Sequence, residues 1–125
     1  MAVPGGHVRL GASGEAAAAA WYLARGYTVV AHNWRCAEGE LDLVVARPGE
    51  LVFCEVKTRT SDRFGLPAEA VTRAKQRRLR TLATRFLAAG AAPPLPSGGA
   101  AGPRAVRFDV ACVLAGEVSV IEAAF

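Results

Sequence analysis

The sequence predicts a single α/β domain in which helices cover the faces of a mixed β-sheet. Three observations support this prediction: the elements follow in the order helix, three strands, helix, two strands; short connections join the first three strands; and a full helix separates the third strand from the fourth. Short connections favour antiparallel neighbours, whereas a helical connection favours a parallel, right-handed crossover. A chain of 125 residues can bury a core as one domain.

The N-terminal half of the chain predicts one helix followed by three strands. Ser13 is placed to cap a helix that begins at Gly14, continues through a run of alanines and ends at Gly26. Apolar and β-branched runs then predict strands at Tyr27–Asn33, Glu40–Arg47 and Leu51–Thr58, with turns at Trp34–Gly39 and Pro48–Gly49. Alternation in the second strand places Leu41, Leu43 and Val45 on one face and Asp42 on the other.

The C-terminal half predicts the second helix and the last two strands. A loop at Arg59–Pro67 precedes the longest helical pattern, Ala68–Ala89. Its apolar stripe, at spacings of three and four, consists of Val71, Leu79, Leu82, Ala83 and Phe86. The segment Gly90–Pro103 is rich in proline, glycine and alanine and is interpreted as a linker. The strands are expected at Ala105–Leu114 and Glu117–Ile121.

Composition limits the class of protein without identifying it. The net charge of +4 permits a polyanionic partner but does not require one. Three cysteines without metal-binding spacing indicate reduced thiols and a cytoplasmic protein. The first ten residues lack the apolar run of a signal peptide, and the alanine block at 16–20 is too short to cross a bilayer, so no membrane association is expected.

Charge usage draws attention to one tripeptide. The chain has thirteen arginines but only two lysines, and one of these lysines lies in Glu55-Val56-Lys57. Lysine is a compact point charge, and burial readily shifts its pKa, whereas arginine stays protonated. A lysine kept in an arginine-rich chain therefore suggests a chemical role at this position.

The predicted hairpin register gives this tripeptide a partner. A symmetric turn at Pro48–Gly49 makes Asp42 and Glu55 direct cross-strand partners, with Cβ atoms about 4.5–5.5 Å apart. Glu40 and Lys57 form the next pair on the same face, whereas a three-residue bulged loop would shift the register by one. Opposed carboxylates destabilise a sheet unless one is protonated, solvent reaches them, or a cation lies between them.

Magnesium suits the last alternative, because it accepts one or two carboxylates together with waters and phosphate oxygens. Lys57 would then hold or deprotonate the attacking water, or neutralise charge on a phosphorane-like transition state. Asp42, Glu55 and Lys57 are therefore candidate catalytic residues. The alternative is an ordinary surface strand with a Glu40–Lys57 ion pair.

Four segments together resemble the YraN (UPF0102) family over nearly the whole chain. They are Gly11-x-x-Gly14-Glu15, Gly39-Glu40-Leu41-Asp42-Leu43, Phe53-Cys54-Glu55-Val56-Lys57-Thr58-Arg59 and Arg107-Phe108-Asp109. That family is similar to archaeal Holliday junction resolvases and to PD-(D/E)XK nucleases. The resemblance implies a restriction-endonuclease-like αβββαβ core. It also implies Mg²⁺ or Mn²⁺ held by Asp42, Glu55 and the Val56 carbonyl, with Lys57 at the water.

The same resemblance suggests supporting residues, each with a simpler alternative. Glu15 is a candidate third metal ligand, but a glutamate in a first helical turn also stabilises the helix dipole. Lys75 lies on the core-facing stripe and either approaches the site or extends past the helix end to water. The candidates for contacting nucleic acid are Arg59, Arg63, Arg73, Lys75 and Arg77.

The remaining candidates are expected to support the site rather than to bind substrate. Glu40 lies beside Asp42, and Arg107 and Asp109 share a face of the fourth strand, where they pair with each other or support the neighbouring site. The expected function is metal-dependent cleavage of DNA, of branched or damaged structures in repair or recombination. The small size and the resolvase resemblance suggest a homodimer. The alternatives are a non-catalytic nucleic-acid-binding module and a protein–protein adaptor with structural carboxylates.

Overall fold

A computed structural model describes residues 14–59, 71–90 and 105–125 of the chain. Two helices and five strands lie within these ranges. They are α1 (Gly14–Leu23), β1 (Thr28–Cys36), β2 (Gly39–Arg47), β3 (Glu50–Arg59), α2 (Arg73–Ala88), β4 (Ala105–Leu114) and β5 (Glu117–Ile121). Neither helix is long and apolar enough to cross a membrane within the described ranges.

The five strands form one mixed sheet in the order β1-β2-β3-β4-β5. Strands β1, β2 and β3 are antiparallel neighbours, β3 and β4 are parallel across the connection that contains α2, and β5 returns antiparallel to β4. Antiparallel pairing through short turns and parallel pairing through a helix are the geometries that these connections favour. The predicted strand directions are confirmed.

Two apolar clusters, one on each face of the sheet, make the fold three-layered. On one face, α2 packs through Leu79, Leu82, Ala83 and Phe86, which are all buried. On the other face, α1 packs through Ala18, Ala19 and Tyr22. The central strand β3 contributes Phe53 to the first cluster and Val52 to the second, so it is buried on both sides. The predicted α/β fold class, a three-layer arrangement consistent with a nuclease-like core, is confirmed.

The structure corrects the predicted turn at Trp34–Gly39. Strand β1 continues to Cys36, because Trp34 is drawn into the core, where its ring meets Phe86 edge to face at 5.2 Å between centroids. Asn33, immediately before it, has a left-handed φ of 52° and interrupts the regular strand. The polar residues around Trp34 predicted a turn. The segment is instead a strand, because Trp34 packs against α2, which is distant in the sequence.

One predicted strand face is also wrong. Leu43 and Val45 pack in the cluster beneath α1, as a pair on one face should, but Leu41 packs in the cluster beneath α2. Leu41 lies directly opposite Trp34 in the β1–β2 pairing, and both side chains meet α2. The irregularity at Asn33 therefore coincides with a change of face that alternation alone does not predict.

Helix α2 begins at Arg73, later than the predicted Ala68, because Thr72 caps it through a hydrogen bond from the Lys75 backbone N–H to Thr72 Oγ1 (3.2 Å). Val71 is buried as predicted but precedes the helix. The predicted cap at Ser13 and nearly all of the loop 59–67 and the linker 90–103 lie outside the described residues, so these predictions stay open.

Candidate functional site

The site lies where strands β2 and β3 separate. Regular pairing runs from Arg47–Glu50 to Leu43–Cys54, in the register that the Pro48–Gly49 turn predicts. Asp42 and Glu55 are the next residues along each strand. There the backbone N–H of Val56 donates instead to Asp42 Oδ2, at 2.9 Å. The carboxylate of Asp42 thus replaces a strand partner and fixes this end of the hairpin.

Glu55 receives two lysines on one oxygen. Its side chain is 9% exposed, and its Oε2 lies 3.1 Å from Lys57 Nζ and 2.9 Å from Lys75 Nζ. Lys57 comes from the same strand and face, whereas Lys75 comes from the first turn of α2. Both lysines of the chain therefore converge on the candidate catalytic glutamate.

The two carboxylates have opposite electrostatic environments. Burial, reinforced by the nearby charge of Glu55, raises the pKa of Asp42 to about 7, although the Val56 N–H partly opposes this. Burial would also raise the pKa of Glu55, but hydrogen bonds from Lys75 and Lys57 outweigh it and hold that pKa below its ordinary value. Glu55 is therefore the more acidic member of the pair, and Asp42 is the member that takes up a proton more readily.

A cavity of about 170 Å³ opens over these groups. We call it the carboxylate pocket, and it is lined by Gly39, Glu40, Asp42, Glu55, Lys75, Arg78, Leu79 and Leu82. The four residues from α2 follow the spacing i, i+3, i+4 and i+7, so one stripe of this helix forms the wall. A cavity in which carboxylates and cations converge over an apolar wall is a candidate binding site.

Arg78 and Gly39 are pocket residues that the sequence did not single out as functional. Gly39 has a φ of 145°, and a Cβ at this position would touch Leu82 Cδ1 at 3.6 Å and Arg78 Cδ at 3.8 Å. Contacts of this length are ordinary, so the positive φ rather than a lack of space favours glycine at this position. The stripe that placed Lys75 toward the core also contains Arg78 at i+3, so helical spacing was the available signal.

Glu15 lies in the first turn of α1, as predicted, at the end of the sheet that carries the carboxylate pocket. The helix reaches this end because Gly14 packs directly on Thr58, where a Cβ would overlap Thr58 Oγ1. Burial raises the pKa of Glu15, Asn33 lowers it, and the charge of Glu40 raises it further. Glu15 therefore lies near enough to Glu40 for the charge of one carboxylate to affect the pKa of the other.

The residues present suit a metal with few protein ligands. Among the described residues, donors reach only one oxygen of Asp42 and one of Glu55, so each carboxyl keeps an oxygen for a cation. Mg²⁺ needs no more than one or two carboxylates when waters complete its shell. Across residues 14–59, 71–90 and 105–125, no three His, Cys, Asp or Glu side chains cluster closely enough to hold a metal. Glu15 is therefore not a preformed third ligand, and its ligation stays a prediction.

The expected Glu40–Lys57 pair does not form. Because β2 and β3 have already separated, Glu40 remains paired with β1, where Arg35 lies opposite and its Nη2 is 3.8 Å from Glu40 Oε1. Lys57 turns instead to Glu55. Glu40 still lines the carboxylate pocket, so it adds negative charge there without neutralising Lys57.

The predicted nucleic-acid contacts lie in different surroundings. Arg73 and Arg77 are exposed on α2, while Lys75 points into the pocket as the stripe predicted. Arg59 is half-buried at the end of β3, and its Nε is buried without a hydrogen-bond partner among the described residues. Arg63 lies outside the described residues. Arg59 therefore offers a buried donor near the end of the strand that carries Glu55, without an acceptor in ranges 14–59, 71–90 and 105–125.

Arg107 and Asp109 pair with each other, as their spacing suggested, but on the other face of the sheet. Arg107 Nε and Nη2 donate to the two oxygens of Asp109 at 2.8 and 2.9 Å. Asp109 is fully buried and also accepts from Tyr22 Oη at 2.6 Å, beneath α1. Glu55 faces α2, so this pair does not support the carboxylate pocket; it anchors α1 to β4.

Comparison with known proteins identifies the family. The profile of "Uncharacterised protein family UPF0102" matches residues 14–113, which include every residue of the carboxylate pocket. A UPF0102 protein of Beutenbergia cavernae is 55% identical over 106 residues, covering 84% of this chain and 81% of the relative. UPF0102 proteins of Symbiobacterium thermophilum and Frankia alni are 48% and 49% identical and cover 82% and 83% of this chain and 79% of each relative. This chain therefore belongs to the UPF0102 family.

Proposed function

We propose that this chain is a metal-dependent endonuclease that hydrolyses phosphodiester bonds in DNA, with branched or damaged structures as its substrates. One observation carries the proposal: Asp42, Glu55 and Lys75 line a single cavity, and Glu55 also pairs with Lys57, at the point where two core strands separate. Buried carboxylates with shifted pKa values in a cavity are typical of catalytic sites. The resemblance to PD-(D/E)XK nucleases supports the same interpretation.

Asp42 and Glu55 are the residues that would hold Mg²⁺ or Mn²⁺, and the bound ion would supply Lewis-acid stabilisation of the charge that develops on the phosphate. The protein itself prepares the position. The Val56 N–H fixes Asp42 through one oxygen, and the lysines keep Glu55 ionised. Two carboxylates, each with an oxygen that no donor among the described residues reaches, give the charge and ligand type that these ions prefer.

Lys57 is the residue that fits a role at the attacking water. It lies on the same strand face as Glu55, and its Nζ is 3.1 Å from the glutamate, so its position is fixed relative to the carboxylate. An ammonium group held there can orient a water by hydrogen bonding or stabilise negative charge on the phosphate. Its side chain is 23% exposed, so a substrate can reach it.

The wider surface is compatible with a polyanion. The chain has an excess of basic residues, and Arg73 and Arg77 are exposed on the helix that forms the pocket wall. Not every arginine is available, because Arg85 pairs with Glu38 at 3.0 Å and Arg80 lies over the ring of Phe108.

We also propose that the enzyme works in the cytoplasm, where free thiols such as those of all three cysteines are usual. A two-fold homodimer would suit symmetric cleavage of two strands.

One observation favours a second candidate, a nucleic-acid-binding module that does not cleave. Two ammonium groups already neutralise Glu55, and no three-ligand cluster is present in the described residues. A protein of this kind would bind DNA tightly, with a strong dependence on salt, through phosphate contacts.

A cleavage assay separates the two candidates. The full chain is incubated with linear, single-stranded and four-way-branched DNA and with RNA, in Mg²⁺, Mn²⁺ or EDTA. The nuclease proposal predicts cleavage in either metal, none in EDTA, and a loss of at least about 10²-fold in rate for Glu55→Ala and for Lys57→Ala.

The matched control is Glu38→Ala, which removes an exposed carboxylate from the β1–β2 turn, outside the carboxylate pocket. This variant should cleave at the wild-type rate. Salt-sensitive binding without cleavage of any substrate would establish the binding module instead, and cleavage that survives in Glu55→Ala would place the activity elsewhere.

A further inference from the structure

We propose that the ammonium group of Lys75 occupies the cation position at Glu55 in the metal-free protein and is displaced when a divalent cation binds. The inference rests on the proposed function, because it assumes that Asp42 and Glu55 hold the metal. It assigns Lys75 a role that differs from contacting nucleic acid. Lys75 would be a positioning residue that competes with the metal.

The contacts between Glu55 and its two lysines support this proposal first. Lys57 and Lys75 place their nitrogens 3.1 and 2.9 Å from the same atom, Glu55 Oε2. One ammonium is enough to neutralise one carboxylate, and two at such distances repel each other. Lys57 is tied to Glu55 by its position on the same strand, so Lys75 is the surplus cation. Its side chain is 29% exposed and ends a flexible four-carbon stem, so it can leave.

The position of Lys75 in the first turn of α2 also supports the proposal. Thr72 is the N-cap, and Lys75 is the third residue of the helix, the position where a capping box would have glutamate or glutamine. The first turn of α2 contains no acidic residue and instead carries Arg73 and Lys75. Positive charge is unfavourable at the N-terminal end of a helix dipole. The charge of Lys75 is thus unfavourable for the helix itself, which indicates that the residue serves the site.

The charges in the carboxylate pocket favour the same competition. Asp42 and Glu55 repel each other, and among the described residues Asp42 accepts from the Val56 backbone N–H and contacts no cation. Lys75 partly compensates this negative pocket in the absence of metal. A divalent ion beside both carboxylates would bring two positive charges close to the Lys75 ammonium, and the repulsion would drive the lysine away. Metal and Lys75 therefore bind Glu55 in competition.

The test measures Mn²⁺ affinity by calorimetry, without nucleic acid, on the full chain. Lys75→Met keeps most of the stem and removes the charge, and it should bind Mn²⁺ at least about tenfold more tightly than wild type. The matched control is Arg73→Met, which removes a charge from the same helical turn without touching Glu55, and it should change the affinity by less than about twofold. Lys75→Arg retains the charge and should stay close to wild type.

The outcomes separate this inference from the proposed function. If Asp42→Asn abolishes Mn²⁺ binding but Lys75→Met binds like Arg73→Met or more weakly, the competition is refuted and the metal site stands. If Asp42→Asn binds Mn²⁺ as wild type does, or if no variant binds it, both proposals fail. If Lys75→Met does not fold, Lys75→Gln, which can still donate to Glu55, takes its place and should show the same gain in affinity.

Discussion

Replacing Asp42 by asparagine should make the metal-free protein more stable at pH 8, although Asp42 is proposed to be essential for activity. The carboxylate is partly buried beside Glu55, and both effects raise its pKa to about 7. Asparagine is nearly the same shape, and its carbonyl can still accept the hydrogen bond from the Val56 N–H. The substitution therefore removes the repulsion and keeps the contact.

The magnitude follows from the shift in pKa. Raising an aspartate pKa from 3.8 to about 7 means that ionisation in the folded state costs at most about 4 kcal/mol, at about 1.4 kcal/mol per tenfold change. Asp42 is only partly buried, and solvent screening reduces this cost to about 1–2 kcal/mol. For a domain of this size, such a gain corresponds to a rise in Tm of about 4–8 °C.

The sign of the pH dependence is fixed by the same shift. Because the folded-state pKa of Asp42 lies above its unfolded value, the ionised group destabilises the fold most above about pH 7. The penalty decreases as the pH falls from about 7 to about 4, since the folded protein then takes up the proton. The advantage of Asp42→Asn should shrink over this interval and nearly vanish at pH 4.

The assay is thermal unfolding of wild type and variants in EDTA at pH 8, 6 and 4. Asp109→Asn is the matched control on the opposite face of the sheet. Asp109 is fully buried, receives two hydrogen bonds from Arg107 and accepts from Tyr22, so its replacement removes the closest charge partner of a half-buried guanidinium and leaves only the longer contacts to Glu50 and Glu122. Breaking a buried ion pair costs about 3–5 kcal/mol, so this variant should unfold at a much lower temperature.

The same chemical change should thus have opposite effects at two aspartates. If Asp42→Asn melts at or below the wild-type temperature at pH 8, the Asp42 charge carries no penalty and the carboxylate is a structural strand partner. A gain that did not depend on pH would also contradict the argument, because it could not come from ionisation.

Three further predictions concern other parts of the molecule. Gly14→Ala should lower the free energy of unfolding by about 1–3 kcal/mol because its Cβ overlaps Thr58 Oγ1, and Thr58→Ala in the same chain should recover most of the loss in a double-mutant cycle. Phe86→Ala should cost about 3–5 kcal/mol in urea unfolding, because the ring is fully buried and meets two other aromatic rings edge to face; a cost below 1 kcal/mol would contradict its central position. Glu55→Gln should destabilise the metal-free protein at pH 7 by about 1–3 kcal/mol. Because the pKa of Glu55 is lowered in the folded state, its ionised form stabilises the fold at any pH above the ordinary glutamate pKa, and this contribution is lost as the pH falls through the folded-state pKa. The difference between the two proteins should therefore disappear in acid.

The sequence predicted the parts of the site that depend on local geometry. A two-residue turn at Pro48–Gly49 fixes the β2–β3 register as far as Leu43–Cys54, one pair short of the predicted Asp42–Glu55 partners, and both carboxylates line the carboxylate pocket just beyond it. Helical spacing alone directed Lys75 toward the sheet, and the structure shows its ammonium at Glu55. These inferences held because each depends on one strand pair or one helix period.

The parts that sequence reasoning missed depend on contacts between distant elements. Trp34 was predicted to lie in a turn, because no neighbouring residue in the chain indicates that its ring packs against Phe86. Glu40 was paired with Lys57 by extending the β2–β3 register three residues beyond its last pair, Leu43–Cys54. The face of the Arg107–Asp109 pair is set by Tyr22, which lies 87 residues from Asp109 in the chain.

The central claim is that the carboxylate pocket is the site of metal-dependent phosphodiester cleavage. The most direct test is the single-turnover rate of DNA cleavage in Mg²⁺, measured for wild type, Glu55→Ala and Glu38→Ala at equal protein concentration. We expect cleavage by wild type and Glu38→Ala at the same rate, and a rate at least about 10²-fold lower for Glu55→Ala. Equal rates for all three proteins, or no cleavage of any DNA by the folded wild type in Mg²⁺ or Mn²⁺, would contradict it.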